Sequence, residues 1–156
     1  MQQFKSRHFL TGEELSQKEL LALLDQAESL RINRSDSQLL HSKTIALDKP
    51  SLRTRVSFTV GISELGGRVF ELQGSQKKNE EPEDSIRVLQ RMVQGVMIRT
   101  FNHDDLDRMV PHARIPIING LSDSHHPCQA LADILTLKQR FSKLKGLKLA
   151  YIGDGN

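Results

Sequence analysis

Cysteine is almost absent from this 156-residue chain. Cys128 is its one thiol, so no internal disulfide can form, and a reducing cytoplasm is the compartment that fits. Aromatic residues are scarce at 4% and the basic residues are dispersed, which argues against nucleic acid as a partner. No apolar run is long enough to cross a bilayer, and the N-terminus is not signal-like, so no membrane association is expected. No group of His, Cys and Asp has metal-ligand spacing, and neither metal nor cofactor is expected. Internal repeats and low-complexity tracts are missing. Neither sign of charge dominates: 22 Lys and Arg against 19 Asp and Glu leave a net +3, which suits an anionic small molecule. With 37% hydrophobic and 26% charged residues, the chain has one domain's length and enough apolar side chains for a real core.

What is present is a regular alternation. Ser16-Gln17-Lys18-Glu19 reads as a capping box ahead of a helix that buries Leu20, Leu23, Leu24, Ala27 and Leu30. Residues 31–42 are polar, a linker or helix end. Strands are expected near 44–48, 68–72, 95–99, 115–118 and 147–152, and helices near 52–65, 82–93, 103–111 and 127–141. Pro116 sits awkwardly in the fourth strand and belongs at an edge or a strand start. The alternation predicts an α/β fold, a parallel sheet with helices on both faces.

Three stretches carry chemistry. In Lys49-Pro50-Ser51-Leu52-Arg53-Thr54-Arg55-Val56-Ser57-Phe58, Pro50 ends the strand Thr44-Ile45-Ala46-Leu47. Val56, Phe58, Ile62 and Leu65 then follow helical spacing up to Gly66-Gly67. A helix start offers free N–H groups and a positive dipole end to an anion. Ser51 and Thr54 add hydroxyls, and Arg53 adds a planar charged fork. Residues two apart do not share a helix face, so Arg53 and Arg55 point differently, one to the anion and one to a structural partner. Taken alone, the stretch reads as well as a capped helix with solvated arginines.

The second stretch runs from Asn119-Gly120, read as turn chemistry, to His126-Pro127-Cys128-Gln129. Pro127 suits the first position of a helix whose apolar face carries Ala130, Ile134, Leu137 and Phe141. His126 at a helix start is pushed toward its neutral form and can still donate one N–H to a carbonyl oxygen. Gln129, three residues on, both donates and accepts, which suits a carbamoyl group. A lone histidine in this position is more often an ordinary cap. Cys128 reads as a packed bystander. The third stretch, Gly95-Val96-Met97-Ile98-Arg99-Thr100, ends an apolar strand in an arginine, at the sheet edge where open α/β folds bind ligands. By itself such an arginine is most often a surface residue.

Together these stretches resemble the ornithine carbamoyltransferases. Ser51-Leu52-Arg53-Thr54-Arg55 is similar to the family's Ser-Thr-Arg-Thr-Arg phosphate motif, and His126-Pro127-Cys128-Gln129 to its His-Pro-x-Gln motif, preceded by Asn119-Gly120-Leu121-Ser122-Asp123. Arg7-His8-Phe9-Leu10 also looks like the family's start. The resemblance implies the carbamoyl-phosphate domain of a two-domain transcarbamylase. Its reaction passes the carbamoyl group of carbamoyl phosphate to the side-chain amine of L-ornithine, giving L-citrulline and phosphate, a step of arginine biosynthesis. It implies that Ser51, Leu52 (through its backbone), Arg53 and Thr54 hold the phosphate. Arg99 and His126 polarise the carbonyl oxygen, and Gln129 grips the carbamoyl nitrogen. Gln76 touches carbamoyl phosphate in a neighbouring subunit, and Asn156 matches a substrate asparagine for ornithine. A homotrimer is implied, because the family builds its site between adjacent carbamoyl-phosphate domains. Residues 1–146 are then the carbamoyl-phosphate domain, and 147–156 the first strand and turn of an ornithine-binding domain.

Two departures from the family pattern bear on these expectations. Leu52 replaces a threonine, removing one hydroxyl donor, and Ser-Leu-Arg-Thr-Arg also resembles relatives that use acylated ornithine. Residues 76–82, Gln-Lys-Lys-Asn-Glu-Glu-Pro, keep Gln76 and Glu81-Pro82 but lack both glycines and the arginine of the family's loop; a plain solvated loop is the other reading. The aspartate carbamoyltransferases are the nearest rivals, disfavoured by Asn119-Gly120-Leu121-Ser122-Asp123. Putrescine and acylated ornithine stay open as acceptors. Against the enzyme reading stands a module that binds ligand or scaffolds an oligomer without turnover.

Overall fold

Two short apolar runs, Ile45-Ala46-Leu47 and Val96-Met97-Ile98, form the centre of a four-stranded sheet. The computed structural model describes residues 7–32, 38–48, 51–72, 80–141 and 143–153. Strand β1 (Thr44–Asp48) lies between β2 (Arg68–Glu71) and β3 (Gly95–Arg99), and β4 (Ile117–Leu121) pairs with the far side of β3. All three pairings are parallel and the order is β2-β1-β3-β4. Successive side chains of a strand face opposite sides. Ala46, Val96, Ile98 and Ile117 therefore meet Ile86 of α3 (Pro82–Leu89) and Leu106 and Met109 of α4 (Asp104–Met109). Leu47, Met97 and Ile118 meet Ile62 and Phe58 of α2 (Leu52–Glu64) on the other side. Burying each such side chain contributes about 1.5–3 kcal/mol. The fold is the α/β sheet with both faces covered that the alternation predicts.

Local chemistry sets most boundaries. Helix α1 (Gln17–Ile32) opens with the expected box: the Glu19 carboxylate accepts from the Ser16 N–H at 2.8 Å, and Glu19 N–H donates to Ser16 Oγ at 3.3 Å. Its predicted inner side is correct, with Leu24 buried and Leu20, Leu23, Ala27 and Leu30 half-buried. Helix α2 closes where Gly66 takes φ +80°, with Gly66 N–H bonded to the Ser63 carbonyl and Gly67 N–H to that of Ile62, the two bonds of a Schellman end. Pro82 and Pro127 stand at the first positions of α3 and of α5 (Pro127–Arg140).

Several expectations need correction. Helix α3 ends at Leu89, not 93, because the chain must turn there to deliver Val93 to the core and Gly95 to β3. Helix α4 is shorter than 103–111 and continues as a 3₁₀ turn, Val110–His112. The fourth strand lies at 117–121, with Pro116 just ahead of it and Asn119-Gly120 inside it. The register between β3 and β4 shifts at Ile98/Arg99, so that Gly120 is an extra residue, a bulge. On α5, Leu137 of the expected face is half-buried, but Ala130, Ile134 and Phe141 are exposed; the helix instead buries Pro127 and half-buries Leu131 and Leu135. Its Lys138 reaches Asp25, at 2.7 Å, and Glu28 of α1, which draws its inner side round toward that helix. The run 147–152 forms no strand among the described residues. It has no strand beside it to complete a ladder, and Ile152 is 97% exposed.

A feature not anticipated is the strap at residues 8–10. Phe9 bridges in parallel to Ile118, donating to the Ile117 carbonyl at 2.9 Å and accepting from Asn119 N–H at 2.8 Å. His8 Nδ1 accepts from Ile117 N–H at 3.2 Å. Burial and the adjacent Arg7 charge lower the His8 pKa, keeping the ring in the neutral form that this bond needs. The outer edge of β4 is thereby covered. Behind the strap, the Glu14 carboxylate gathers the N–H groups of Leu10, Thr11 and Gly12 at 2.8–2.9 Å.

Candidate active site at the carboxyl edge of the sheet

Strand order 2-1-3-4 places a topological switch between β1 and β3, where successive connections run to opposite sides and leave a crevice at the carboxyl edge. All strands are parallel, so the chain leaves β1, β3 and β4 at this same edge. The residues 51–54 that open α2, Arg99 ending β3 and His126 opening α5 are therefore gathered there from three separate parts of the sequence. This is the convergence that the sequence argument needs.

The start of α2 has free donors and no acidic residue, an arrangement that suits an anion. Ser51 is its N-cap, with extended backbone (φ −82°, ψ 126°), yet its hydroxyl makes no capping bond. The first intrahelical bond is Arg55 N–H to the Ser51 carbonyl, at 3.1 Å, which leaves the N–H groups of Leu52, Arg53 and Thr54 outside the helix ladder. No acidic side chain stands in this turn to neutralise it. Leu52 is 66% exposed, so its side chain packs against little and its backbone is what the turn can use. Arg53 is exposed and makes no ion pair among the described residues, whereas Arg55 pairs with Glu71 of β2 at 3.8 Å. Arg55 thus has a structural partner, as expected of one of the two arginines.

Arg99 is half-buried at the rim of a cleft of about 450 Å³ with Asp48, Glu80, Glu81, Thr100 and Asp105. Thr100 Oγ1 donates to Asp105 Oδ2 at 2.7 Å. Carboxylates outnumber cations on this lining, four to one among the described residues, so the cleft itself is less suited to an anion than the start of α2. Glu81 is held, with Glu83, by Arg108 of α4, which fixes the descent into α3. These pairs raise the Arg108 pKa and lower that of Glu83. A larger apolar hollow of about 820 Å³, lined by Leu40, Ile45, Phe58 and Ile118, opens at the amino end of the strands, away from every one of these polar groups.

His126 is half-buried at the N-cap of α5, and its carbonyl accepts from Gln129 and Ala130 at 3.1 Å. Gln129 lies on the exposed side of the same turn. Its Nε2 donates to Asp133 Oδ1 at 2.9 Å, so the amide is turned along its own helix and must swing away to reach a ligand. Cys128 Sγ is directed at the Asn119 carbonyl, at 3.4 Å, in keeping with a packing role. Gln76 and Asn156, together with Lys49 and Pro50, lie outside the described residues. Among the described residues no cluster of three metal-ligating side chains occurs, and no helix is long and apolar enough to cross a membrane.

Sequence reasoning missed the groups that hold this edge together. Asp48 carries no local signal, since strand pairing brings it to the cleft, and Asp105 enters the same cleft from α4, where it accepts from Thr100. Asn119, fully buried, donates from Nδ2 to the Leu10 carbonyl at 2.8 Å and to Ser122 Oγ at 3.2 Å, and accepts from Leu121 N–H at 2.9 Å.

Residues 7–139 match the carbamoyl-P binding domain of the aspartate/ornithine carbamoyltransferases. The chain belongs to the aspartate/ornithine carbamoyltransferase family. A protein named ornithine carbamoyltransferase from Acidothermus cellulolyticus is 47% identical over 96% of this chain and 50% of its own length. The crystal structure of ornithine carbamoyltransferase from Thermus thermophilus superposes with a TM-score of 0.90 at 41% identity, covering 97% of this chain and 54% of that one. An N-acetyl-L-ornithine transcarbamylase variant, complexed with carbamyl phosphate and N-succinyl-L-norvaline, superposes at 0.80 with 31% identity, covering 88% of this chain and 49% of that one. The chain spans about half the length of the curated relatives it matches. The family's carbamoyl-phosphate domain thus accounts for the sheet, its strand order and the edge described above.

Proposed function

We propose that this chain binds carbamoyl phosphate at the β1–β3 switch and forms the carbamoyl-phosphate half of an ornithine carbamoyltransferase. The observation that carries the reading is the convergence of an uncapped, cationic helix start with Arg99 and His126 at one sheet edge. In the reaction the ornithine side-chain amine forms a bond to the carbonyl carbon. The carbon–oxygen bond to phosphate then breaks, and the amine's proton departs with the phosphate. Charge grows on two groups. The phosphate dianion is received by the N–H groups of residues 52–54, the Ser51 and Thr54 hydroxyls and the Arg53 guanidinium. The carbonyl oxygen is received by Arg99 and His126, and donors placed at such an oxygen are worth about 3–4 kcal/mol each. Gln129 holds the carbamoyl nitrogen once it is released from Asp133. Gln76 from a neighbouring copy and Asn156 complete the contacts, in a cytoplasmic homotrimer serving arginine biosynthesis.

Leu52 leaves acylated ornithine open as an alternative acceptor, and an N-acetyl-L-ornithine transcarbamylase is among the solved structures that the chain resembles, at lower identity than the ornithine carbamoyltransferases. The test is calorimetric titration of carbamoyl phosphate into this chain, with inorganic phosphate alongside. Saturable binding tighter than phosphate, abolished in Arg53→Ala, is expected. Unchanged affinity in the Arg53 variant removes the cradle assignment.

A further inference from the structure

Two loops carry the groups assigned to the carbonyl oxygen, and one side chain outside the family motifs joins them. Arg99 is followed by the turn 100–103, and His126 is preceded by the loop 122–125. The ladder between β3 and β4 runs on past Arg99, with Thr100 N–H donating to the Leu121 carbonyl at 3.2 Å and Asp123 N–H to the Phe101 carbonyl at 3.0 Å. His103 then closes the junction twice. Its backbone N–H donates to Asp123 Oδ1 at 3.1 Å, and its Nδ1 lies 2.8 Å from Ser122 Oγ. Its ring also packs on His125, with centroids 4.7 Å apart and planes tilted by 48°.

Ser122 is the hub of this junction, 4% exposed. Its Oγ accepts from Asn119 Nδ2 at 3.2 Å and from His125 N–H at 3.2 Å, while its own N–H donates to the His125 carbonyl at 2.9 Å. Those two acceptances use both lone pairs of the hydroxyl, so its one proton remains to be placed. The shorter contact, to His103 Nδ1 at 2.8 Å against 3.3 Å to the His125 carbonyl, takes it. Nδ1 is then the acceptor and the ring's N–H stands at Nε2, on the side of the Asp107 carboxylate 4.0 Å away. Ser122 and His125 thus form a closed pair directly before His126, and the hydroxyl that closes it is oriented by His103.

We infer that His103 is a positioning residue for His126. Resting on the function proposed above, it fixes the β4–α5 loop against the turn that carries Arg99, so that both groups face one carbonyl oxygen. It does not touch the phosphate side of the site, which belongs to the start of α2. A specific signature follows: losing His103 weakens the ligand that has a carbonyl group and spares the one that lacks it.

The experiment uses this chain and two variants. His103→Leu removes the acceptor while keeping an apolar body, and His103→Asn returns a side-chain oxygen near the place of Nδ1. Without ligand, amide exchange at Ser122, Asp123 and His125 and the ring signals of His126 are followed by nuclear magnetic resonance. His103→Leu is expected to speed exchange at those amides about tenfold and shift the His126 signals, with the amides of β1 unchanged; His103→Asn reverses both. In titrations, His103→Leu is expected to weaken carbamoyl phosphate about tenfold while inorganic phosphate binds as before, with His103→Asn within about twofold of the parent. The inference is overturned if the loop amides and His126 signals do not move. It is equally overturned if both ligands weaken together in step with a lower melting temperature. If the parent chain does not distinguish carbamoyl phosphate from phosphate, the functional reading fails, and the ligand-free arm still decides whether His103 positions His126.

Discussion

Replacing Asn119 by leucine tests how much of this edge depends on one buried amide. The side chain is fully enclosed and serves as donor to the Leu10 carbonyl and acceptor for Leu121 N–H, while sharing its remaining donor capacity between Ser122 Oγ and the His125 carbonyl. Ser122 and the His125 carbonyl keep other partners, so the strict losses fall on Leu10 and Leu121. Leaving a buried polar group unsatisfied costs about 1–3 kcal/mol, or about 2–6 kcal/mol for the pair. The leucine's own burial returns about 1.5–3 kcal/mol. Taking the middle of both ranges, a net loss of about 2 kcal/mol is expected, a large share of the roughly 5–15 kcal/mol that holds a domain folded. In urea, with a slope of about 2 kcal/mol/M, the unfolding midpoint should fall by about 1 M. Asn119→Asp separates bonding from shape. It keeps the bond from Leu121 but turns the donor facing the Leu10 carbonyl into an acceptor, and at neutral pH it should lose at least as much as the leucine variant. A midpoint shift below about 0.3 M in either variant would refute the reasoning.

Three further outcomes are expected. Burial opposes the charge on Glu14, but the N–H groups of Thr11, Gly12 and Leu10 outweigh it and hold the carboxyl below its ordinary value of 4.5. The stability this lends is present above pH 4.5 and is lost as the pH falls through the lowered value. Glu14→Gln should therefore cost about 1 kcal/mol at pH 7 and progressively less in acid, and urea midpoints that differ equally at pH 7 and pH 3 would contradict it. Gly120→Ala drives a methyl group against Met97 Sδ and to 3.3 Å from the Ile98 carbonyl in the core, an overpacking cost of about 1–3 kcal/mol. Thermal melting should report it as a drop of several degrees, about 2–4 °C per kcal/mol. Arg55→Ala removes a half-exposed pair with Glu71 worth about 0–1 kcal/mol, so phosphate affinity should hold while the melting temperature falls slightly; a lost affinity would reverse the roles of Arg53 and Arg55.

What the residues disclose about themselves was legible in advance. Unbroken apolar runs mark β1 and β3, Gly66-Gly67 and the two helix-opening prolines mark their own boundaries, and the basic start of α2 announces its charge. Misreadings arose where a residue's meaning is set by a distant partner. Asn119-Gly120 is turn chemistry in isolation; here the asparagine is enclosed by the strap and the glycine gives room to Met97. The exposed face of α5 was misassigned because Lys138 ties that helix to α1, a contact across more than a hundred residues. His103 and Ser122, 19 apart, meet only once β4 has aligned on β3. The residues proposed for the phosphate, 51–54, lie within one contiguous stretch, so their grouping is visible in the sequence alone. Arg99 and His126, proposed for the carbonyl oxygen, were each legible in their own stretch, but their meeting at one edge comes only from the sheet.

The strap also constrains the order of events during synthesis. Leu10 leaves the ribosome early, yet the amide that receives it lies 109 residues further along. Closing a loop of that length costs roughly 4 kcal/mol of chain entropy, which local contacts cannot offset before β4 exists. Until β4 has emerged, the strap residues must therefore wait in solvent while β1 and β3 pair. The outer edge of β4 is open from its emergence until residues 8–10 return to it. A chaperone or a second nascent chain that pairs with strand edges has that interval, and no later one, in which to act on that edge.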